Sequence, residues 1–288
     1  MSNVKKKIGI ILFALLSLCL VIGCIYYDQS QSTDNLEVIF FDVGQGDSIF
    51  IETPNKFQIL IDGGDDNQVI YKLGKYMPFY DRTIDLVVVS HPHDDHVMGF
   101  AEVLKRYEVE KILITGVDYY TPAYAAFLDE AKKQNISIDI ATQDWELDLG
   151  DNQRLDVIYP FESIEGVKFE NLNNSSIVMQ LTFNEINFLF TGDAETEEEH
   201  VILSAGIDLQ SEVLKAGHHG SDTSSSKEFL EAVNPQQVVI SVGEDNSFGH
   251  PSLRTINRMK RMDINTFRTD QISDIVLITD GVEVSINY

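Results

Sequence analysis

The sequence predicts a mixed α and β protein built as two packed sheets with helices on the outside. Three observations predict it. Short runs rich in Val, Ile, Leu and Phe alternate with segments of helical spacing along the chain. Many apolar runs are separated only by Gly or Pro-Asn turns, as in LEVIFFDVG, SIFIET and FQILIDGG, and this hairpin-rich pattern suits paired sheets better than a doubly wound parallel sheet. The unusual polar residues, Asp62, His91 to His96, Asp193, His218 and His219, sit at the ends of those runs, where strands converge on one rim.

The 288 residues suit one large domain with an appendage, and 43% apolar residues suffice for a sizeable core. A formal net charge of −25 argues mildly against tight nucleic-acid binding, because an acidic surface repels phosphates. A nuclease stays open, since bound metals reverse the field locally. Both cysteines, Cys19 and Cys24, lie in the N-terminal apolar stretch, so the folded part has neither a disulfide framework nor a thiolate metal site. Any metal there must be held by His, Asp, Glu, Asn or backbone.

The elements follow in order. Lys5, Lys6 and Lys7 precede an apolar run at residues 8–25, the pattern of an export signal. The run contains VIGC, residues 21–24, which resembles a bacterial lipobox and implies cleavage before Cys24 and its lipidation. An uncleaved membrane anchor is the alternative. Either reading puts the rest outside the cytoplasmic membrane, because the positive end stays inside. Residues 1–24 are thus expected to be a signal or anchor, residues 25–35 a polar tether, and residues 36–288 the folded domain. Within it, LEVIFFDVG, SIFIET and FQILIDGG read as strands, and IDLVVVS as a buried strand ending at His91. Residues 99–107 have helical spacing, KILITG is a strand, and residues 122–134 a helix. ISIDIA, RLDVIYP and SSIVMQLTF are strand candidates, and NFLFTGD ends at Asp193. Residues 194–205 look helical, SEVLKAG is a strand ending at His218 and His219, residues 227–233 are helical, and PQQVVISVG is a strand. Residues 252–262 are helical, and SDIVLITDG with VEVSINY reads as a closing hairpin.

HPHDDH, residues 91–96, holds three of the seven histidines. In an extended segment alternate side chains share a face, so His91, His93 and Asp95 are expected to point one way and His96 to a neighbouring position. Imidazole nitrogen and carboxylate oxygen both bind Zn²⁺, so the segment can give two ligands to each of two ions. A second ion needs a bridging carboxylate, for which Asp193 is the natural candidate, and His218 or His219 would complete it.

The hexapeptide matches the H-x-H-x-D-H motif of the metallo-β-lactamase-fold hydrolases. Four further stretches, FDVGQGDS (41–48), LIDGG (60–64), LKAGHHGSDTSSS (214–226) and SVGEDNSFGHPS (241–252), resemble the extracytoplasmic hydrolase domain of ComEC-type competence DNA-channel proteins. The likeness runs from Leu36 nearly to the end and is to a detached hydrolase domain, because the channel's many membrane helices are not matched. The same group includes secreted phosphodiesterases such as phosphorylcholine esterases.

The resemblance implies a four-layer αββα sandwich of the α+β class and a binuclear hydrolase using two divalent ions, Zn²⁺ or Mn²⁺. It implies His91 and His93 as ligands of the first ion, Asp95 and His96 of the second, and Asp193 as the bridge. His219 rather than His218 would be the last ligand, with His218 facing substrate, although the motif leaves their order open. Many family members bring a third histidine to the first ion. Here the corresponding NLNNSSIVMQL has none, so Asn173, Asn174, Ser175 or water must stand in, which favours a hard cation such as Mn²⁺. Asp95 or Asp193 would orient the attacking water or take its proton. His250, in the FGHPS turn, would donate to a phosphate or leaving group, with turn capping as the alternative.

Other residues have plainer expectations. The SDTSSS run is read equally as an anion site or as N-capping by Ser225 or Ser226. Lys215 is read as a strand-surface lysine, and Asp47 and Asp62 as hydrogen-bond partners of ligand histidines. His200 among Glu197 to Glu199 is read as a solvated face, and Trp145, Tyr119 and Tyr120 as core packing, with a lid as the alternative.

Together these imply a membrane-anchored, extracytoplasmic, metal-dependent phosphodiesterase or nuclease, acting on DNA or a cell-envelope phosphodiester through a metal-activated water. Hydrolysis of a β-lactam, lactone or other carboxylic ester or amide is the alternative, and the missing histidine counts against it. A non-catalytic metal-binding surface lipoprotein is the second alternative, opposed by the intact set of charged ligands. No protein partner is inferable.

Overall fold

The computed structural model describes residues 2–30 and 34–287. In chain order the strands are β1 Leu36–Phe40, β2 Ile49–Glu52, β3 Gln58–Ile61, β4 Thr83–Val88, β5 Glu108–Ile114, β6 Ser137–Ile140, β7 Glu146–Gly150, β8 Gln153–Tyr159, β9 Val178–Phe183, β10 Ile186–Phe190, β11 Val213–Lys215, β12 Gln237–Ile240, β13 Asn265–Arg268, β14 Ile275–Thr279 and β15 Val284–Asn287. The helices are α1 Ser2–Ser30, α2 Gln68–Tyr76, α3 Asp94–Val97, α4 Phe100–Arg106, α5 Pro122–Gln134, α6 Thr196–Ser204, α7 Lys227–Val233, α8 Leu253–Arg261 and α9 Thr269–Ile272.

The strands form two sheets, ordered β15-β14-β1-β2-β3-β4-β5-β6 and β13-β12-β11-β10-β9-β8-β7. Each is antiparallel on one side and parallel on the other, with β3 to β6 parallel in the first and β10 to β13 parallel in the second. The strand period explains the layering. In β1, Leu36, Val38 and Phe40 face the second sheet, meeting Met179, Leu181, Phe188 and Phe190, while Ile39 faces outward. On that outer face Val69 and Leu73 of α2, Phe100 and Val103 of α4, and Phe127 and Ala131 of α5 pack against the sheet. Ile202 of α6, Phe229 and Leu230 of α7, and Met259 of α8 cover the outer face of the second sheet. Because both faces of the central strands are buried, they read as nearly continuous apolar runs. This is the expected αββα sandwich, and the closing hairpin β14–β15 joins the first sheet by pairing β14 with β1.

α1 includes Lys5–Gly23, a stretch long and apolar enough to cross a membrane. Its bounds take in the first residues of the expected tether; residues 31–33 and the Cys24 side chain lie outside the described residues. The C-terminal ends of parallel strands β3, β4, β10 and β11 lead into Asp62, His91, Asp193 and the His218–His219 pair, all on one rim.

Candidate metal centre

β4 delivers Ser90 and His91 buried, and His93 is still extended (φ −68°, ψ 150°). The chain then closes one helical turn, with His96 N–H donating to the His93 carbonyl at 3.0 Å. The expected shared face of His91, His93 and Asp95 is therefore corrected. Asp94 and Asp95 in a first turn favour helix initiation, and the turn presents Asp95 and His96 together. Gly46 makes room for this turn: at φ +136° it lies so close that a Cβ would fall 2.3 Å from the Asp95 carbonyl oxygen.

Asp95, His96, Asp193 and His219 each bring one ligand-type atom within 4.8 Å of the others. His96 Nε2 and His219 Nε2 each lie 3.3 Å from Asp193 Oδ2, and His219 Nε2 lies 3.3 Å from Asp95 Oδ2. His219 Nε2 is within hydrogen-bond distance of Asp95 Oδ2, whereas His96 Nε2 is buried and has no aligned hydrogen-bond partner among the described residues. Beside them His91 Nε2 stands 2.9 Å from His93 Nδ1, and the His91 ring centroid is 4.2 Å from that of His96.

The outer ring nitrogens are fixed by acceptors. His96 Nδ1 lies 2.8 Å from Asp62 Oδ2, and His219 Nδ1 lies 2.9 Å from the Ser241 carbonyl. Both acceptors favour the proton on Nδ1 and leave Nε2 for a cation. Asp62 is itself held by the Ser90 N–H at 2.8 Å and the Ser90 hydroxyl at 2.6 Å. Asp62 thus fills its expected place, while Asp47 comes no nearer than 3.6 Å to His219 Nδ1 and 3.8 Å to His96 Nδ1.

The charge balance is lopsided. Asp47 and Asp193 flank one ammonium, Lys215, while Asp62 lies against His96 and Asp95 against His219. Lys215 is only 1% exposed, so its reading as a strand-surface lysine is corrected: β11 lies between β10 and β12, and this side chain points inward. Its Nζ donates to the Gly192 carbonyl at 2.7 Å, lies 3.4 Å from Asp193 Oδ1 and pairs with Asp47. Burial lowers its pKa, and Asp47 and Asp193 more than reverse that, leaving it raised. Burial likewise lowers His96 and His219, but Asp193 and the neighbouring carboxylates push His96 well above its ordinary range and His219 up to about 10. His91 and His93 go the other way, with burial the largest cause, and stay neutral. Converging donors, excess buried negative charge and neutral imidazoles alongside together fit divalent cations.

The residues proposed to replace the third histidine form a short 3₁₀ turn, Leu172–Ser175. Asn174 Oδ1 accepts the Glu195 N–H and its Nδ2 donates to Glu197, while the Ser175 hydroxyl donates to the Leu172 carbonyl. Asn173 Nδ2 donates to Glu195 at 2.8 Å, but its buried Oδ1 has no donor among the described residues.

His218 stands outside the four-residue cluster, with Nδ1 3.1 Å from Glu195 Oε1 and its ring 5.1 Å from His250. His250 lies at the rim, its ring 6.4 Å from His219 and its Nδ1 buried without a hydrogen-bond partner among the described residues. Tyr119 stands beside His93, with ring centroids 5.9 Å apart. Trp145 packs against the inter-sheet core and donates to Asp139, and Tyr120 is exposed. Ser226 caps α7 by accepting the Phe229 N–H. The Glu197–Glu199 run is only partly solvated: Glu197 and His200 are exposed, whereas Glu198 and Glu199 are buried because that side of α6 packs inward. Glu199 accepts the N–H groups of Ser225 and Ser226 and so braces the loop after His219. Sequence reasoning missed the inward roles of Lys215 and Glu199. The apolar neighbours of Lys215 in VLKAG were a signal; nothing local separated Glu199 from Glu197.

The sequence model of the metallo-beta-lactamase superfamily matches residues 41–244. ComE operon protein 3 of Bacillus subtilis (strain 168) is 29% identical over 272 residues, covering 88% of this chain and 34% of that protein. Competence protein ComA of Neisseria gonorrhoeae is 31% identical over 252 residues, covering 85% of this chain and 32% of that protein. The chain therefore spans about a third of the length of these curated relatives. Among solved structures, the metallo-beta-lactamase fold protein YhfI of Bacillus subtilis superposes with a TM-score of 0.57 at 13% identity, over 86% of this chain and 100% of that one. The long form RNase Z from yeast gives 0.52 at 14% identity, over 87% and 42%. At such identities the structures share the fold alone.

Proposed function

The chain belongs to the metallo-β-lactamase superfamily, and on that premise we propose that it is a membrane-anchored, extracytoplasmic phosphodiesterase dependent on two divalent cations, Mn²⁺ or Zn²⁺. One observation carries the reading: Asp95, His96, Asp193 and His219 converge within 4.8 Å beside a neutral His91–His93 pair. His91 and His93 would hold one ion, with Asn173 Oδ1 as the free oxygen in place of a third histidine. Asp95, His96 and His219 would hold the other, and Asp193 would reach both. Bound there, the ions would supply Lewis acidity toward phosphoryl oxygens and lower the pKa of water.

The protein's own groups do the rest. Asp62 and the Ser241 carbonyl orient His96 and His219 through Nδ1. Asp95, the cluster carboxylate nearest solvent, is placed to take the proton of the attacking water. Lys215 offsets Asp193 and Asp47 from beneath, without touching substrate. His250, at the rim with its ring 5.1 Å from that of His218, would donate to a phosphoryl oxygen or leaving group, and His218, paired with Glu195, stands beside it. The neutral oxygen at Asn173 favours a hard cation and phosphate esters over β-lactams. Similarity to competence proteins supports a DNA-related role, and the apolar stretch of α1 supports membrane anchoring.

The test is turnover of bis-p-nitrophenyl phosphate and single-stranded DNA by chelator-stripped full chain on adding Mn²⁺ or Zn²⁺, beside His93→Ala. Metal-dependent turnover lost in the variant supports the reading. Turnover of nitrocefin or carboxylic esters alone would overturn it.

A further inference from the structure

We infer that the solvent face of α8, together with Phe248, is the track along which a single strand of nucleic acid reaches the metal centre; the inference rests on the phosphodiesterase reading above. The chain has 21 Lys and Arg against 46 Asp and Glu, yet α8 (LRTINRMKR) carries Arg254, Arg258, Lys260 and Arg261 and no acid. Thr255 and Met259 form its buried side, and Arg254, Asn257, Lys260 and Arg261 form one exposed face, as the helical period requires. Arg258 is used otherwise. It donates to the carbonyls of Ser224 and Ser225 and ties the helix to the loop after His219. Three cations remain for a partner. Arg254, with its side chain 72% exposed, pairs loosely with Asp222 at 3.5 Å. Lys260 and Arg261 make no ion pair among the described residues.

This face begins at the site. Ser252, the α8 cap, donates its N–H to the carbonyl of Gly220, the residue after His219, at 2.9 Å. The Thr255 hydroxyl donates to the Ser221 carbonyl at 2.7 Å. From there the nine residues carry positive charge away from the metal centre for about 13 Å, at 1.5 Å per residue. Such a stripe offers a phosphodiester backbone three exposed cations on one helix face of a chain whose net charge is −25.

Phe248 argues for bases as well as phosphates. Its ring is 67% exposed and stacks on His250 at 5.9 Å with 26° between planes. A flat exposed ring offers a face on which any base can stack, independent of sequence. An envelope phosphodiester has no such base, and a duplex keeps its bases stacked on one another. Single-stranded nucleic acid fits both features.

The test is fluorescence anisotropy of a labelled phosphorothioate oligothymidylate, which resists hydrolysis, with the full chain in detergent micelles across a salt series. The variant is Arg254→Glu/Lys260→Glu/Arg261→Glu. The control, Lys105→Glu/Lys132→Glu/Lys133→Glu on α4 and α5, makes the same change in net charge elsewhere. The α8 variant should lose at least about tenfold in affinity, and its log–log salt slope should flatten by about 2, from three phosphate contacts at about 0.7 each. The control should stay within about twofold. Phe248→Ala should weaken binding at least about fivefold with the slope unchanged. Arg254→Glu alone, with about a third of the slope change, serves should the triple variant fail to fold. Equal losses in variant and control, or no loss in either, would overturn the inference. So would an α8 variant that changes binding to phosphatidylglycerol bicelles and leaves the oligonucleotide unaffected. Turnover of bis-p-nitrophenyl phosphate by the unmodified chain reports separately on the parent reading: its absence with the α8 effect intact sinks the phosphodiesterase and leaves the track.

Discussion

Replacing Lys215 by Met tests how the buried charges beneath the site are held. The ammonium is 1% exposed and fills its donors with the Gly192 carbonyl, Asp47 and Asp193. Methionine keeps much of the volume and removes the charge. Among the described residues the ion-pair contacts left to Asp47, also 1% exposed, are His219 Nδ1 at 3.6 Å and His96 Nδ1 at 3.8 Å, and both those nitrogens lie closer to Ser241 and Asp62. Breaking a buried pair by removing one partner costs about 3–5 kcal/mol, because the other charge is left uncompensated. At about 2–4 °C per kcal/mol for a domain of this size, the melting temperature should fall by about 6–20 °C. Asp47→Asn in the same chain removes the stranded charge and should restore most of the loss, so a double-mutant cycle should return a coupling of at least about 2 kcal/mol. Thermal unfolding followed by circular dichroism measures all four proteins. A Lys215→Met cost under about 1 kcal/mol, or an Asp47→Asn change that deepens the loss, would refute the reasoning.

Three other outcomes are expected. Asp62→Ala removes the acceptor that orients His96 and should weaken Mn²⁺ binding by about 10–100-fold in a calorimetric titration; an unchanged affinity would deny Asp62 that role. Burial first, and Glu199 second, push the Glu198 carboxyl well above its ordinary range, so the folded chain keeps a proton that the unfolded chain has lost. Stability therefore falls as pH rises from the ordinary carboxyl range toward the raised value, by up to about 1.4 kcal/mol per pH unit, and Glu198→Gln should raise the melting temperature more at about pH 8 than at about pH 5. Equal shifts at both would contradict that sign. Glu199→Ala strands the N–H groups of Ser225 and Ser226 and should cost about 1–3 kcal/mol per buried donor left unpaired, read in the same melts.

How much was legible in the sequence depended on whether the deciding physics is local. Helix α5 runs over the expected residues because its signals are neighbours in the chain: Thr121 accepts the Tyr124 N–H, proline opens the first turn, and Asn135 closes it at φ 56°. HPHDDH is legible because ligand-type residues are rare and crowded there. The choice between His218 and His219 is not local. Both sit at positive φ, 46° and 51°, in a tight turn that sends one imidazole to Glu195 and the other to Asp193. The short α2 has two buried residues, Val69 and Leu73, too few to stand out in the sequence. Lys215 shows the limit most clearly, since its burial depends on carboxylates contributed by the turn before β2 and the loop after β10.

The most direct measurement counts bound Mn²⁺ by mass spectrometry and bis-p-nitrophenyl phosphate turnover on the same samples of stripped full chain, as metal is added back. Turnover should rise with occupancy to two ions per chain, and Asp193→Asn should lose both ion and turnover. Two tightly held ions without phosphodiester turnover, or turnover untouched by stripping, would contradict that expectation.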